Sequence, residues 1–306
     1  MYKVAVLLST YNGEAYLKEQ LDSILCQEGV EVLLLVRDDG SNDSTQLILN
    51  DYAARHQNVE LHLMGNVGFK KSFEWLSRYA YKYLNADFYA YADQDDVWMT
   101  DKLNKSISAI SLEKLPALYC CNQIITDKSL KPLHLMLNEK NYKHTCEVQN
   151  MNFFKNRHGC TMVWNKAMMV ILGESKHDES YTPGHDKWLT LLARCSGKVF
   201  IGKEPLQYYR VHNSNTSGYA QGIYNRLIKA IKVYWLTNQQ SNLYAKDCLN
   251  SIPHIENTDG VRFIVDVANY KNSFLKRIKV AMSHQVWGEG IIDGLIHSTA
   301  VLIGKY

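Results

Sequence analysis

The sequence is short of several things, and each shortage excludes a class of protein. No run of eighteen uncharged apolar residues occurs in its 306 residues, so no membrane-crossing helix is expected. The apolar run Val4–Leu8 near the start is too short for a signal peptide or a span. The formal net charge is only +3, too small to argue for a nucleic-acid partner. The seven cysteines are odd in number. Apart from the adjacent Cys120 and Cys121 none sit at metal-ligand spacing, so free thiols in a reducing cytoplasm are the expectation rather than disulfides or a zinc site. Internal repeats and low-complexity segments are also missing. With 46% hydrophobic and 21% charged residues, the chain can build a sizeable core and does not read as disordered.

The first hundred residues alternate two periodicities. Val4–Leu8, Val30–Val36, Val59–Met64 and Phe88–Ala92 read as strands. Between them Leu17, Leu21, Ile24 and Leu25, then Leu47, Ile48 and Tyr52, then Phe69, Phe73, Leu76 and Ala80 fall at helical spacing. Asp43 or Ser44 can cap the second of these helices. Strands separated by helices predict an α/β fold with a mostly parallel central sheet flanked by helices and right-handed crossovers. Ala117–Ile125 and Cys160–Trp164 read as further strands, 186–195 as a helix, and Lys198–Ile201 as a short strand. From Tyr219 to Tyr306 the pattern becomes helical and aromatic, with ten basic residues against six acidic. The expected organisation is a catalytic domain over 1–218 and a C-terminal helical extension over 219–306.

In open parallel sheets, ligands sit beyond the carboxyl ends of the strands. Three polar clusters fall there: Ser9-Thr10-Tyr11-Asn12, Asp38-Asp39-Gly40-Ser41 and Asp93-Gln94-Asp95-Asp96. Asp93 and Asp95, one residue apart at a strand end, can both reach a hard divalent cation, and Mg²⁺ or Mn²⁺ suits such oxygens while keeping positions open for phosphate. The alternative for the acidic tetrad is a turn capping the next helix. Asp39 can accept a hydrogen bond from a uracil or thymine ring N–H, and alone it would be an ordinary turn residue. Together with Thr10, Tyr11 and Asn12 at the neighbouring strand end it reads as a nucleotide site. Arg210 and His212, two residues apart, should project from one strand on the same face. There they could hold a diphosphate or the metal when the Ser/Asn/Gly-rich segment that follows closes over the site.

Four stretches taken in order resemble a known family. They are Ser9-Thr10-Tyr11-Asn12-Gly13, Leu21-Asp22-Ser23-Ile24-Leu25-Cys26-Gln27, Asp38-Asp39-Gly40-Ser41-Asn42-Asp43-Ser44-Thr45 and Asp93-Gln94-Asp95-Asp96-Val97-Trp98. Their order and spacing resemble the inverting glycosyltransferases of family 2, over roughly residues 2–215, and the last stretch resembles the rhamnosyltransferase-like branch that builds bacterial surface polysaccharides. The resemblance implies a GT-A fold and a UDP- or dTDP-sugar donor such as dTDP-rhamnose. It implies that Tyr11 stacks near the base, Asp39 contacts its ring N–H, Asp93 flanks the ribose and the metal, and Asp95 is the main metal ligand. Asn66-Val67-Gly68-Phe69 matches the family's loop after the third strand, which brings Lys70 or Lys71 toward the diphosphate; a solvated helix start is the other reading of those lysines.

Inversion by direct displacement requires a carboxylate to take the acceptor hydroxyl's proton. The family places it at a helix start, which here is His185-Asp186-Lys187-Trp188. Asp186 is thus the expected base, with helix capping as its other reading, and His185 an acceptor contact. Gly159–Asn165 matches the strand beneath the acceptor site, so Trp164 is either a sugar platform or core. A glycan or lipid-linked glycan is the implied acceptor. In the tail, Tyr224, Leu227, Ile228, Ile231, Tyr234 and Trp235, then Phe274, Ile278 and Met282 among Lys271, Lys276, Arg277 and Lys279, form basic amphipathic patterns. They suit either the inner face of a cytoplasmic membrane or packing on the body or on a second subunit. Two rival functions remain. A sugar-phosphate nucleotidyltransferase should carry a Gly-rich phosphate loop, which Thr10-Tyr11-Asn12-Gly13 is not. A non-catalytic glycan-binding protein on this fold would not need an acidic residue at every one of these positions.

Overall fold

The computed structural model describes residues 1–136, 146–147, 157–212, 241–252, 259–287 and 291–305. The expected amphipathic segment from Tyr224 to Trp235, the segment after His212 and the expected boundary at 218 lie outside the described residues.

The sheet is built on β1 (Tyr2–Thr10), β2 (Val30–Asp38), β3 (Val59–Leu63) and β4 (Phe88–Ala92), all parallel in the spatial order β3-β2-β1-β4. The helices α1 (Leu17–Leu25), α2 (Thr45–Arg55) and α3 (Phe69–Tyr83) connect them. β1 is buried on both faces because its residues alternate between two cores. Val4, Val6 and Leu8 meet α1, α2 and α4 (Lys102–Ile110) on one side, and Ala5 and Leu7 meet α3 on the other.

Beyond β4 the sheet departs from the parallel expectation. The short β5 (Val97–Trp98) precedes α4, and β6 (Ala117–Thr126) follows it. β7 (Pro132–Leu135) and β8 (Cys146–Glu147) pair at the margins, on β6 and on the last strand. β9 (Met162–Asn165) lies antiparallel between β4 and β6. The last strand, β10 (Lys198–Arg210), is 13 residues long where the sequence predicted a short one. Bulges on either side of Pro205 let it run on along β6, and its far end pairs with β5. That continuation carries Arg210 to the same sheet edge as the loop after β4.

α5 (Lys166–Glu174) and α6 (His185–Ser196) cover the α3 side of the sheet. The C-terminal helices α7 (Ser241–Ser251), α8 (Asp259–Asn269), α9 (Phe274–Ala281), α10 (His284–Trp287) and α11 (Ile291–Leu302) follow. Ala245, Cys248, Val261, Ile264, Val267 and Val301 from this region join the same core cluster as Leu189 and Leu192 of α6. The described helices of the extension are therefore packed into the core of the body. Cys26, Cys120, Cys121, Cys160, Cys195 and Cys248 are free thiols, and no described helix is long and apolar enough to cross a membrane.

Candidate active site

The three polar loops at the strand ends are tied into one rim. Asp39 donates its backbone N–H to the Thr10 carbonyl at 2.8 Å. Thr10 Oγ1 donates to Asp38 Oδ1 at 2.9 Å. Asn12 donates its N–H to Ser41 Oγ at 2.9 Å and accepts from the Asn42 N–H at 2.8 Å. Asn12 sits at φ 49°, a left-handed conformation that asparagine tolerates. From the third loop, Gln94 accepts from the Tyr11 N–H at 2.8 Å and donates to the Tyr11 carbonyl at 3.0 Å, like one rung of a sheet. A Cβ on Gly13 would stand 2.4 Å from Gln94 Oε1, so only glycine admits this side chain. Tyr11 is left 45% exposed at the mouth, as a base-stacking side chain requires.

Asp39 is buried, and its carboxylate is heavily engaged. It pairs with Arg37 at 2.5 Å and accepts from the backbone N–H groups of Val67 and Gly68 at 2.8 Å each. Arg37 also reaches Ser72 Oγ and the Gly65 carbonyl. The pair thus fastens the loop before α3, and it takes three of the roughly four acceptor positions of a carboxylate. One remains for a base N–H. Asp38 is fully buried and accepts from Thr10, Ser41 and Gln46, so it organises the rim from within.

At the third loop Asp93 and Asp95 are partly exposed and Asp96 is fully buried. Burial, then the like charge of Asp95 and that of Asp186, pushes the Asp93 carboxyl up from its ordinary range. Burial and the charges of Asp95 and Asp93 push Asp96 further. Below them Lys102, on the first turn of α4 and wholly buried, donates to Gln207 Oε1 at 2.5 Å and to the Cys160 carbonyl at 2.6 Å. Its ammonium lies 3.4 Å from the centre of the Trp98 ring. Gln207 in turn donates to Asp96, Gln123 and the Cys160 sulfur.

Asp93, Asp96 and Cys160 place ligand atoms within 4.8 Å of one another. This trio is a poor cation site, since burial holds the Cys160 thiol protonated and Asp96 faces the interior. Asp93 and Asp95 are both partly exposed carboxylates, and burial and the charge of Asp95 raise the Asp93 carboxyl; such paired oxygens suit a hard cation. The donor chemistry therefore fits Mg²⁺ or Mn²⁺ at Asp93 and Asp95.

Arg210 and His212 both arrive at Asp95, although β10 ends at Arg210 and His212 lies just beyond the strand rather than on it. His212 Nε2 lies 2.8 Å from Asp95 Oδ2, and Arg210 Nε donates to the Asp95 carbonyl at 3.0 Å. Arg210 also donates to Glu19 and to the Lys128 carbonyl and stacks on Tyr16 at 4.4 Å. Its guanidinium is 2% exposed, so it staples β10, α1 and the acidic loop together and has little surface for a diphosphate in this arrangement.

Asp186 is partly exposed in the first turn of α6, and its charge is felt by Asp93 and Tyr91. It accepts the Lys187 N–H at 2.7 Å, leaving its second oxygen for other partners. His185 points inward: its ring stacks on Phe73 at 3.8 Å and meets the edge of Tyr91 at 4.8 Å. Neither ring nitrogen has a partner, and burial lowers its pKa to about 4. Gly159 makes room, since a Cβ there would stand 2.1 Å from His185 Nε2. A cleft lined by Lys70, Glu74, Arg78, His177, His185 and Trp188 opens beside this helix start. Lys70 is exposed on the first turn of α3 at the cleft's margin.

Trp164 requires a correction. Its exposure is 0%, its Nε1 lies 3.4 Å from the Met169 sulfur, and its ring packs against Tyr89 and Tyr91. A strand covered on both faces leaves it no surface for an acceptor sugar, so it is core. Sequence reasoning also missed Arg37, Gln94, Lys102 and Gln207. Arg37 and Gln207 had a signal, a polar side chain within a strand otherwise made of apolar residues. Gln94 and Lys102 had none.

The glycosyl transferase family 2 model matches residues 5–169. Among curated relatives, the dTDP-rhamnosyl transferase RfbG of Shigella flexneri is 27% identical over 223 residues, 69% of this chain and 73% of that protein. The chain spans about two thirds of the length of the curated relatives it matches. Among solved structures, TarS 1-349 of S. aureus in complex with UDP-GlcNAc has a TM-score of 0.57 at 17% identity, covering 99% of this chain and 89% of that one. The mannosyltransferase PcManGT of Pyrobaculum calidifontis in complex with GDP-Man and Mn²⁺ has a TM-score of 0.55 at 15% identity, covering 98% and 74%. These likenesses establish the GT-A fold. The family match takes in all three strand-end loops, and by it this chain belongs to glycosyl transferase family 2.

Proposed function

We propose that the protein is an inverting sugar transferase that moves a hexose from a UDP- or dTDP-sugar, dTDP-rhamnose first among them, to an acceptor hydroxyl in bacterial surface polysaccharide synthesis. The observation that carries the reading is that hydrogen bonds tie the three strand-end loops into one rim, with Asp186 near enough for its charge to be felt at Asp93. The rhamnosyl relative supports the choice of donor.

The base of the donor lies against Tyr11, with its ring N–H directed at the remaining acceptor position of Asp39. Asp93 and Asp95 would hold a divalent cation, which would supply positive charge to offset that building on the leaving diphosphate. Lys70 faces the diphosphate from the start of α3, and Arg210 and His212 keep the acidic loop in place. Asp186 takes the acceptor hydroxyl's proton as that oxygen bonds to the anomeric carbon. The bond from that carbon to the diphosphate oxygen breaks on the opposite face, so configuration inverts. A glycan, free or carried on a lipid, is the acceptor class.

Screening nucleotide sugars with Mn²⁺ for release of nucleoside diphosphate tests the reading. Asp186→Asn should keep donor affinity and lower transfer by roughly 10²–10⁴-fold. Near-normal turnover of that variant would remove Asp186 from the reaction.

A further inference from the structure

Helix α9 buries only one side of itself. Val280 and Ala281 are 1% and 2% exposed, and they turn toward the body. Phe274, Leu275, Ile278 and Met282 are 63%, 77%, 38% and 74% exposed. At 3.6 residues per turn these four fall within one arc of about 100°. Single exposed apolar residues are ordinary, but four adjoining large ones on two turns form a surface that water disfavours.

Cations border this arc. Lys276 and Lys279 are exposed on the next part of the helix surface. Lys279 pairs with Asp266 at 2.7 Å, its one acidic partner among the described residues. Lys271, Arg277 and Lys305 lie near one another at the helix start. Burial, with the charges of Arg277 and Lys305, holds Lys271 below the ordinary lysine value. Arg277 bonds to the Leu302 carbonyl and so stays at this edge.

We propose that α9 is an interfacial docking helix that inserts Phe274, Leu275, Ile278 and Met282 among the lipids of an anionic membrane surface. The basic border decides between the occupants such a face could take. A second copy docking about a two-fold axis would set this border against an identical one, and like charges would oppose the contact. Anionic headgroups neutralise the same cations while the apolar arc enters the acyl boundary. The inference concerns a surface apart from the sugar-transfer site and goes beyond the proposed reaction.

The test is co-sedimentation of the full chain with vesicles of phosphatidylcholine, alone or mixed with phosphatidylglycerol. The wild type should pellet with the mixed vesicles. Lys276→Glu with Lys279→Glu should weaken that partitioning by roughly 25-fold or more, since each lysine near an anionic surface is worth about fivefold. Serine at positions 274, 275, 278 and 282 together should abolish it. Both variants should keep the wild-type circular dichroism and nucleotide-release activity, because none of these residues belongs to the site. Failure of the wild type to pellet, or equal pelleting by wild type and variants, would overturn the proposal. So would a dimer in sedimentation equilibrium that the serine variant dissociates without any vesicle binding. Because partitioning needs no turnover, this result and the donor screen stand or fall separately.

Discussion

Replacing Arg37 with leucine should be the most damaging conservative-volume change at the rim. The guanidinium is 2% exposed and bonds Asp39, Ser72 and Gly65. Removing it leaves the Asp39 carboxylate buried with two backbone N–H groups and no cation. Breaking a buried pair in this way costs about 3–5 kcal/mol, most of it the penalty of the charge left behind. Unfolding entropy of about 2.1 cal/mol/K per residue amounts to roughly 0.6 kcal/mol/K for a chain of this size, so the melting temperature should fall by ~5–8 °C. The same change frees the 65–68 loop from Asp39, so nucleotide should protect the variant less than the wild type. Scanning fluorimetry with and without UDP or dTDP reads both effects. Asp39→Asn in the Arg37→Leu background should then cost far less than Asp39→Asn alone, because the charge to be compensated is already gone. A melting temperature within about 1 °C of wild type, or strict additivity of the two changes, would refute the reasoning.

His185 supplies a pH prediction. Its folded pKa is lowered to about 4 from an ordinary 6.5, so the unfolded chain binds the extra proton between those values, and the stability from its neutral burial is lost as pH falls from about 6.5 to 4. The loss should be on the order of 3 kcal/mol, and His185→Phe should flatten that part of the pH profile measured by thermal melting; an unchanged slope would count against the buried neutral ring. Trp164→Ala should cost about 3–5 kcal/mol of stability with no selective rise in acceptor KM, which separates core from sugar platform. Gln94→Ala should remove two hydrogen bonds to Tyr11, about 1–3 kcal/mol in all. It should raise donor KM more than it lowers kcat, and a pure kcat effect in steady-state assays would place Gln94 elsewhere in the cycle.

Much of the fold was legible because local pattern and burial agree along it. Val4–Leu8 is apolar at every position because both sheet faces are covered, and the helices after β1 and β3 declare their buried stripes at helical spacing. In the helix after β2 the expected stripe holds only in part: Tyr52 is buried, but Leu47 is 73% exposed and Leu49 takes its place in the core. The strand-end positions of Thr10, Asp39, Asp93 and Asp95 followed from the strand register, whereas Asp186 at the start of α6 was singled out by the family resemblance. Alternation within the chain could not fix what depends on partners distant in sequence. Whether Trp164 faces a sugar or the core depends on β9 lying between β4 and β6. That Arg210 reaches Asp95 depends on β10 running on past its bulges along β6. The pairing of Arg37 with Asp39, the support that buried Lys102 gives Gln207 beneath the acidic loop, and the exposed side of α9 are likewise settled by packing. Sequence determined which chemistry stands at the strand ends, since strand period and turn residues act over a few neighbours. Tertiary structure decided which of those groups are open to a ligand and which are spent on one another, because burial and charge pairing are set by residues up to two hundred positions apart.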